Sequence, residues 1–323
     1  MLAYFAALKP AGLLNALPGG LAQGLIWGIM ALGVFMTFRM LNIADMTVDG
    51  AFATGGAVCI MMIMAGWHPF LALIGAMLAG MLAGTVTGLL HTLLGIPDIL
   101  AGILTQISLY SINLNIMGKP NQAVNVKKVS LLFTSNARQL WNTILIAAVF
   151  CAVIIAILYW YLGTEHGSSL RATGINPNMA RAQGINTNRM KVIGLALGDG
   201  LVAVSGAILA QYQGFADANM GRGAIVIGLA AVIIGEVLGQ AFFGKRMNRL
   251  LSLLFVVIGS IIYYLVYVFV IWLRFPPDDM KLLTAVVVAV FLAIPYLKGA
   301  RKSSFGGLKR RNSAMEKEAN PRA

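Results

Sequence analysis

Long apolar stretches without charges recur along almost the whole of this 323-residue chain, and they limit the folds that it can adopt. About 20 consecutive apolar residues are needed for an α-helix to cross a bilayer. Charges and helix breakers separate nine such stretches, so the pattern predicts about nine transmembrane helices, with eight or ten as alternatives. The predicted spans cover residues 20–38, 46–64, 69–90, 97–117, 141–162, 192–212, 223–239, 250–273 and 282–297. We therefore expect an all-α polytopic membrane helical bundle within residues 1–297.

The composition excludes a cytosolic enzyme, because 59% of the residues are hydrophobic and 11% are charged, against about 25% charged in soluble domains. Two cysteines and three scattered histidines give no disulfide framework and no metal-ligand spacing, so we expect no bound metal. No catalytic set is visible. Residues 239–245 match a phosphate loop, but Arg246 replaces the Ser or Thr that would bind magnesium. We interpret them as a basic turn, not a nucleotide site.

The distribution of Lys and Arg predicts the orientation of the helices, because cytoplasmic loops are usually the more basic ones. With the C-terminus inside, the inner segments hold 16 of these residues and the outer segments hold 8. The tail 298–323 holds eight basic and two acidic residues and is predicted to lie in the cytoplasm. The net charge of +13 is thus attributed to topology, and no nucleic-acid partner is expected. One outer segment departs from the trend, with Lys119, Lys127, Lys128 and Arg138.

The longest predicted cytoplasmic connection, residues 163–191, carries signals for two short helices. Ser169 is predicted to cap a first helix that ends at Gly174, and Asn176 to cap a second one with Pro177 in its first turn. Gly184 would stop the second helix. Asn186 or Thr187 would begin the next span. The result is a compact helix pair whose arginines, Arg171 and Arg181, are expected to point at a partner.

Polar residues within the predicted spans are candidates for a solute path, because ionised and polar groups are costly in the bilayer. Asp49 is the stronger candidate in its span, whereas Asp45 is interpreted as a helix cap, and Asp98 as a first-turn residue. Asp199 lies between two glycines of a later span. Glu236 is expected near the cytoplasmic end, where it could pair with Lys245 or Arg246. In the fourth span a polar stripe either joins helices or lines a wet path; it consists of Thr105, Ser108, Ser111 and Asn115.

Small residues recur four apart within the spans, as in Gly80, Gly84 and Gly88 and in Gly194 and Gly198. Such spacing lets helix backbones approach closely in a membrane. It predicts a tightly packed bundle and says nothing specific about function.

The sequence from Arg171 to Lys191, RATGINPNMARAQGINTNRMK, resembles the cytoplasmic loop of permease subunits in the branched-chain amino acid and ribose group of ABC importers. Residues 41–52 and 197–210 extend this similarity, which covers about residues 20–297. Residues 97–105 and 110–119 resemble a branch of that group linked to tryptophan- or tyrosine-type substrates. By contrast, Asp45 and Asp49 stand where branched-chain members have Phe-Ala-His-Gly, which argues against leucine or valine as the solute.

This resemblance implies an ATP-driven importer in which the loop couples the permease to an ATPase subunit. The residues that would contact the ATPase are Arg171, Gly174, Asn176, Pro177, Ala180, Arg181, Gly184 and Asn186. The path would include Asn42, Thr47, Asp49, Thr105, Ser108, Ser111, Asn115 and Asp199. Other implied partners are an extracytoplasmic solute-binding protein and a second permease subunit, most simply a homodimer. The chain itself needs no cofactor, since ATP and Mg belong to the ATPase, and its place is the bacterial inner membrane.

Two other functions stay open on the sequence alone. An ion-gradient-driven secondary transporter could use Asp49 or Asp199 and would need no ATPase. A membrane scaffold without transport would leave the buried acids and the polar stripe without a role.

Overall fold

The computed structural model of the protein describes residues 10–125, 131–134, 140–244 and 248–272, together with five positions between 282 and 293. Helices account for almost all of the described elements. They are α1 (Pro10–Val34, continued by a π-helix over Phe35–Met40), α2 (Val48–Met64), α3 (Pro69–Thr92), α4 (Asp98–Met117), α5 (Leu140–Gly163), α6 (Glu165–Ile175), α7 (Pro177–Ala182), α8 (Thr187–Gln213), α9 (Ala224–Phe243) and α10 (Arg249–Trp272). Two short strands, β1 (Asn121–Ala123) and β2 (Phe215–Asp217), pair antiparallel.

Eight of the nine predicted spans correspond one to one with helices of the structure, which confirms the all-α membrane bundle. Seven of these helices are long and apolar enough to cross a membrane, and α2 is shorter, with 17 residues. The predicted ninth span, 282–297, lies mostly outside the described residues, although the five described positions there are helical. The predicted tail, 298–323, lies wholly outside them.

Helix α8 forms the centre of the bundle, and its inner face packs against α1, α2 and α3. The predicted glycine seam of α3 is the site of this contact. A Cβ atom on Gly84 would overlap the backbone carbonyl of Leu195, and one on Gly88 would lie 2.9 Å from the Cα atom of Val192. Close backbone approach therefore holds α3 and α8 together, as small residues do between membrane helices.

The two ends of the bundle are distinct. At one end, here called the helix-pair end, α6 and α7 lie beside the start of α8, and Lys191 Nζ is 2.9 Å from His91 Nε2. At the other end, here called the hairpin end, β1 and β2 pair, and the amide of Gln122 contacts Met64 Sδ at 3.1 Å. The helix ends therefore alternate between the two sides in the order that the sequence predicts.

Helix α2 begins inside the bundle and not at its surface. After the π-helical turn, Asn42 adopts a left-handed backbone conformation with φ of 56°, which is unusual for a residue other than glycine. The chain then turns back over residues 41–47. Gly50 packs against Gln106 and Leu109, near the middle of the 20-residue α4. Because 20 residues of helix span about 30 Å, the start of α2 lies near mid-depth of the bundle.

Candidate solute cavity and helix-pair surface

Asp49 joins the beginnings of two helices in the interior of the bundle. It is the second residue of α2, and its carboxylate accepts backbone N–H bonds from Gly223 and Ile225, both at 2.9 Å, at the start of α9. The first N–H groups of a helix have no partner within the helix and carry partial positive charge. Asp49 therefore caps α9 across 174 residues of sequence, a role that local sequence did not reveal. Broken helices of this kind mark solute sites in many transporters.

A cavity of about 200 Å³ lies beside Asp49, between α2, α4 and the turn that leads into α9. This volume is small compared with the roughly 300–1,000 Å³ of pockets for drug-sized ligands. The cavity is lined by Asp49, Gly50, Ala53, Gln106, Ile107, Tyr110, Asn113, Ala218, Asn219 and Arg222. Its lining is mixed, with two opposite charges and three amides among apolar groups, so it suits a small polar solute.

Two amides of the cavity have polar atoms without a hydrogen-bond partner in the described part of the chain. Asn113 is fully buried, and neither its Oδ1 nor its Nδ2 has a partner there; the Oδ1 of Asn219 is also buried and unpartnered. A buried polar atom without a partner costs about 1–3 kcal/mol. Such atoms on a cavity wall are available to a solute or to water. Asn113 was not among the predicted path residues, because nothing in the spacing of the asparagines at 113, 115 and 121 distinguishes it.

Arg222 is the second charged residue of the cavity, after Asp49, and it was not among the predicted path residues. It was counted only as an outer basic residue, because its position in a turn between predicted spans gave no sign of depth. The turn folds back beside Asp49: Gly221 packs against the backbone carbonyl of Asp49, and Arg222 lines the same cavity. Tertiary folding thus brings a cation and an anion from distant segments to one cavity.

Thr47 and Thr105, both predicted to line a path, belong to a chain of hydroxyl groups that joins three segments. The Oγ1 atoms of Thr47 and Thr87 are 2.7 Å apart, and Thr87 donates to Thr105 at 2.8 Å. All three residues are buried. The chain holds segment 41–47 against α3 and α4. For Thr105, the structure therefore favours the helix-joining alternative.

The other members of the predicted stripe lie on a different face of α4. Ser108 and Ser111 are exposed, and so is Asn115. The hydroxyl of Ser108 donates to the carbonyl of Leu104, one turn earlier in the same helix. The stripe is thus divided: Thr105 faces the bundle, and the remaining three face away from it. Asn42 lies in the turn before α2 and is not part of the cavity lining.

Asp199 is fully buried and lies beside Asp45, away from the cavity. Asp45 accepts the backbone N–H of Thr47 at 2.9 Å, in the turn just before α2, whereas the residue at the N-cap of α2 is Thr47. The remaining oxygen of Asp45 and both oxygens of Asp199 have no hydrogen-bond partner within the described ranges. The structure therefore does not bring Asp199 together with Asp49. It is an internal contact between α8 and segment 41–47.

Glu236 forms an ion pair with Arg39, with 2.6 Å between Oε1 and Nε. The predicted partners, Lys245 and Arg246, lie outside the described residues, and Arg39 was not predicted as a partner of Glu236. The pair joins the π-helical end of α1 to α9 near the helix-pair end. Arg39 and Glu236 lie far apart in the sequence, so only the tertiary structure shows that they pair.

The predicted helix pair is present, with one corrected boundary. Asn176 caps α7 by accepting N–H bonds from Asn178 and Met179, both at 3.1 Å, and Gly184 has a φ of 81°. Asn186 caps α8. The prediction for the first helix was wrong, because Thr164 and not Ser169 caps α6, and Gly174 lies inside it. Gly174 is there for packing: a Cβ atom would overlap the carbonyl of Met40.

Each arginine of the pair makes a local hydrogen bond through its Nε, while Arg181 remains exposed and Arg171 partly exposed. The Nε of Arg181 donates to Thr187 Oγ1 at 2.8 Å, and the Nε of Arg171 donates to the carbonyl of Gly167 at 3.3 Å. Partial burial and the nearby Arg249 lower the pKa of Arg171. Several polar residues of the pair are exposed, Arg181 among them, and so are two large apolar ones, with exposed fractions of 86% for Ile175 and 63% for Met179. Ala180, also predicted to contact a partner, is buried.

No group of three or more His, Cys, Asp or Glu residues with metal-binding geometry occurs among the residues described.

A membrane bundle with an interior polar cavity and an exposed helix pair at one end defines a transport subunit. A family model described as branched-chain amino acid transport system, permease component, matches residues 17–294. The chain belongs to this family and is the permease component of an ABC transporter, a membrane subunit and not an ATPase. This confirms the predicted class, and the comparisons give no support to the secondary-transporter alternative.

Three relatives illustrate the range of the family. The tyrosine transport system permease protein of Clostridioides difficile is 37% identical over 274 residues, covering 84% of this chain and 89% of the relative. Uncharacterized protein RP368 of Rickettsia prowazekii is 32% identical over 282 residues, covering 87% and 98%. The galactofuranose transporter permease protein YtfT of Escherichia coli is 29% identical over 269 residues, covering 82% and 75%.

Proposed function

We propose that this permease imports an amino acid, with aromatic amino acids as the first candidates. The 37% identity to a tyrosine permease over 84% of the chain supports this choice above the sugars named for more distant relatives. The small polar cavity at mid-depth suits a solute of that size. The bilayer is the bacterial inner membrane, and the C-terminus lies in the cytoplasm.

The observation that supports ATP hydrolysis by a partner as the energy source is the exposed apolar tip of the helix pair. Ile175 and Met179 project at the end that the basic residues assign to the cytoplasm, where lipid does not cover them. Exposed apolar side chains in such a place are typical of a docking surface. The partner is an ATPase subunit that holds ATP and Mg, and it contacts the predicted coupling residues around this tip.

The packing of α6 gives a direct route from the ATPase to the cavity. Gly174 rests on the carbonyl of Met40, and a Cβ atom on Gly194 would meet both Leu41 and Leu170. Met40 ends the π-helix and Leu41 begins segment 41–47, which leads directly into α2 and Asp49. A shift of α6 therefore moves the segment that positions the start of α2. Thr47 lies on this route through its hydroxyl contact with Thr87.

Two copies of the chain form the path, with α4 of each copy facing the other. The exposed face of α4 carries Ser108, Ser111 and Asn115 among apolar residues such as Ile107 and Ile112, whereas the exposed face of α5 is lined by apolar residues such as Val149 and Val153. Lipid suits the second face, and another protein surface or water suits the first. A solute-binding protein docks at the hairpin end, where Lys119 is exposed. Lys127, Lys128 and Arg138 lie outside the described residues.

Co-purification from the native membrane tests this proposal. The tagged wild-type chain is expected to bring down an ATPase subunit, and the double variant Ile175→Ala, Met179→Ala is expected to lose it. Asn188→Ala serves as the control, since Asn188 is exposed near the pair but is not part of it. Retention of the ATPase by the double variant would refute docking at this tip. Uptake of an amino acid by the chain alone in liposomes, driven by an ion gradient, would refute the ATP-driven mechanism.

A further inference from the structure

The cavity beside Asp49 presents two opposite charges that do not neutralise each other. Arg222 and Asp49 both line it, yet no ion pair joins them, and the guanidinium of Arg222 makes no side-chain hydrogen bond within the described chain. The carboxylate of Asp49 accepts two backbone N–H bonds, but each of its oxygens retains a second lone pair. The cavity therefore offers both a free cation and an anion with unused acceptor sites.

Uncharged groups of the same wall add unmade hydrogen bonds. The amide of Asn113 is fully buried with both polar atoms unpartnered among the described residues, and the Oδ1 of Asn219 is unpartnered as well. Buried amides of this kind are normally satisfied. Their presence on a cavity wall is an observation independent of the charges, and it indicates a ligand or ordered water between them.

We propose that this cavity binds the charged head group of a zwitterionic α-amino acid. Arg222 binds the carboxylate, Asp49 accepts from the ammonium group, and the amides of Asn113 and Asn219 supply the remaining hydrogen bonds. This inference rests on the proposed function, of which it specifies the site and the part of the solute that is recognised.

Other small solutes fit the two charges less well. A carboxylate without an ammonium group would approach Asp49 with the same sign of charge. An amine without a carboxylate would leave Arg222 unpaired and would be repelled by it. A sugar could use the amides, but it would offer no counter-charge to Asp49 or to Arg222.

The side chain of the solute would extend toward the mouth of the cavity on α4. Ile107 and Tyr110 line it there, with exposed fractions of 62% and 38%. An apolar residue and an aromatic ring favour an apolar or aromatic side chain. The mouth opens on the face of α4 assigned above to the partner copy, so the head-group site is reached from the central path.

Binding to the full chain in phospholipid nanodiscs tests the proposal, with tritiated L-tyrosine as the probe. Unlabelled competitors are L-tyrosine, tyramine, 3-(4-hydroxyphenyl)propanoate and D-allose. Tyramine lacks the carboxylate, and the propanoate lacks the ammonium group. Each is expected to compete at least about tenfold more weakly than L-tyrosine, because each loses one hydrogen-bonded charge pair. D-Allose is expected not to compete.

Arg222→Gln provides the sharper test, since the side chain is exposed and its loss leaves the fold intact. It is expected to weaken L-tyrosine by about tenfold or more without weakening competition by tyramine. Asp49→Asn is expected to weaken L-tyrosine without weakening competition by the propanoate, so that the propanoate competes as well as L-tyrosine does. Arg189→Gln, an exposed arginine at the helix-pair end, is the control and should bind as the wild type does.

Three results would overturn the inference. They are equal competition by tyramine and L-tyrosine, unchanged affinity in Arg222→Gln, and the absence of saturable binding of tyrosine, tryptophan and leucine at millimolar concentration. Co-purification of the ATPase in the same preparations separates this failure from failure of the proposed function. If the ATPase binds and D-allose displaces the probe better than L-tyrosine does, the solute assignment falls together with the site.

Discussion

Replacing Asp49 should destabilise the bundle through the start of α9, even though Asp49 belongs to another helix. Asp49→Ala removes two charge-assisted hydrogen bonds of 2.9 Å, to the N–H groups of Gly223 and Ile225. Such bonds contribute about 1.5–3 kcal/mol each. The bond to Gly223 is exposed, so water replaces much of it, and the bond to Ile225 is partly buried. We therefore expect a loss of about 3 kcal/mol, at the lower end of the sum of the two.

The assay is thermal unfolding of the purified chain in detergent, followed by size-exclusion chromatography. With about 2–3 °C of Tm per kcal/mol for a chain of this length, Asp49→Ala should lower Tm by about 6–9 °C. Asp49→Asn keeps one acceptor and should fall between the alanine variant and the wild type. Asp98→Ala is the matched control, because Asp98 also lies in a helical first turn but makes only an exposed bond to the adjacent N–H of Ile99, so its loss should cost about 0.5 kcal/mol or less. Equal Tm values for the two alanine variants would show that Asp49 does not hold α9 in place.

Two further predictions concern packing and assembly. Gly84→Ala should lower the Tm, because its Cβ would overlap the carbonyl of Leu195 and overpacking costs about 1–3 kcal/mol. Gly19→Ala, whose Cβ would have no atom within 4 Å, should raise the Tm, because alanine stabilises a helix by up to about 1 kcal/mol relative to glycine. The same sign for both variants would contradict the close contact of α3 and α8. Single cysteines placed at successive exposed positions of α4, including Ser111→Cys, should give disulfide-linked dimers in oxidised membranes, whereas Val153→Cys on α5 should not. Crosslinks from α5 and none from α4 would place the partner copy elsewhere.

Local sequence was sufficient where one segment determines its own structure. The apolar stretches predicted eight helices, because burial in a bilayer and backbone hydrogen bonding act along a single helix. Their ends were predicted to within about five residues, except that α1 begins at Pro10 and not at residue 20. The caps at Asn176 and Asn186 were predicted for the same reason, since a capping side chain binds an N–H only two or three residues away. The cap of α6 was misplaced because Thr164 and Ser169 both satisfy the local rule, and the packing of Gly174 on Met40 decided between them.

The cavity depended on contacts that no local rule contains. Asp49 was selected from the sequence as an acid within a span, but the site also needs Arg222 and Asn113, which lie 173 and 64 positions further along the chain. Arg222 looked like an ordinary outer residue because a turn between spans gives no information on depth. The polar stripe of α4 was divided for a similar reason, since periodicity gives the spacing of polar groups and not the partner that each face meets.

The sequence by itself thus determined the class of fold, the order of the helices and the helix pair, because each follows from interactions along the chain or with the bilayer. Only the tertiary structure decided that α2 and α9 begin inside the bundle and meet at Asp49. That meeting depends on the left-handed turn at Asn42 and on the close approach of Gly221 to the backbone of Asp49. The physical reason is that a partly buried carboxylate and the free N–H groups of a helix start each need a partner, and folding supplies it from a distant segment.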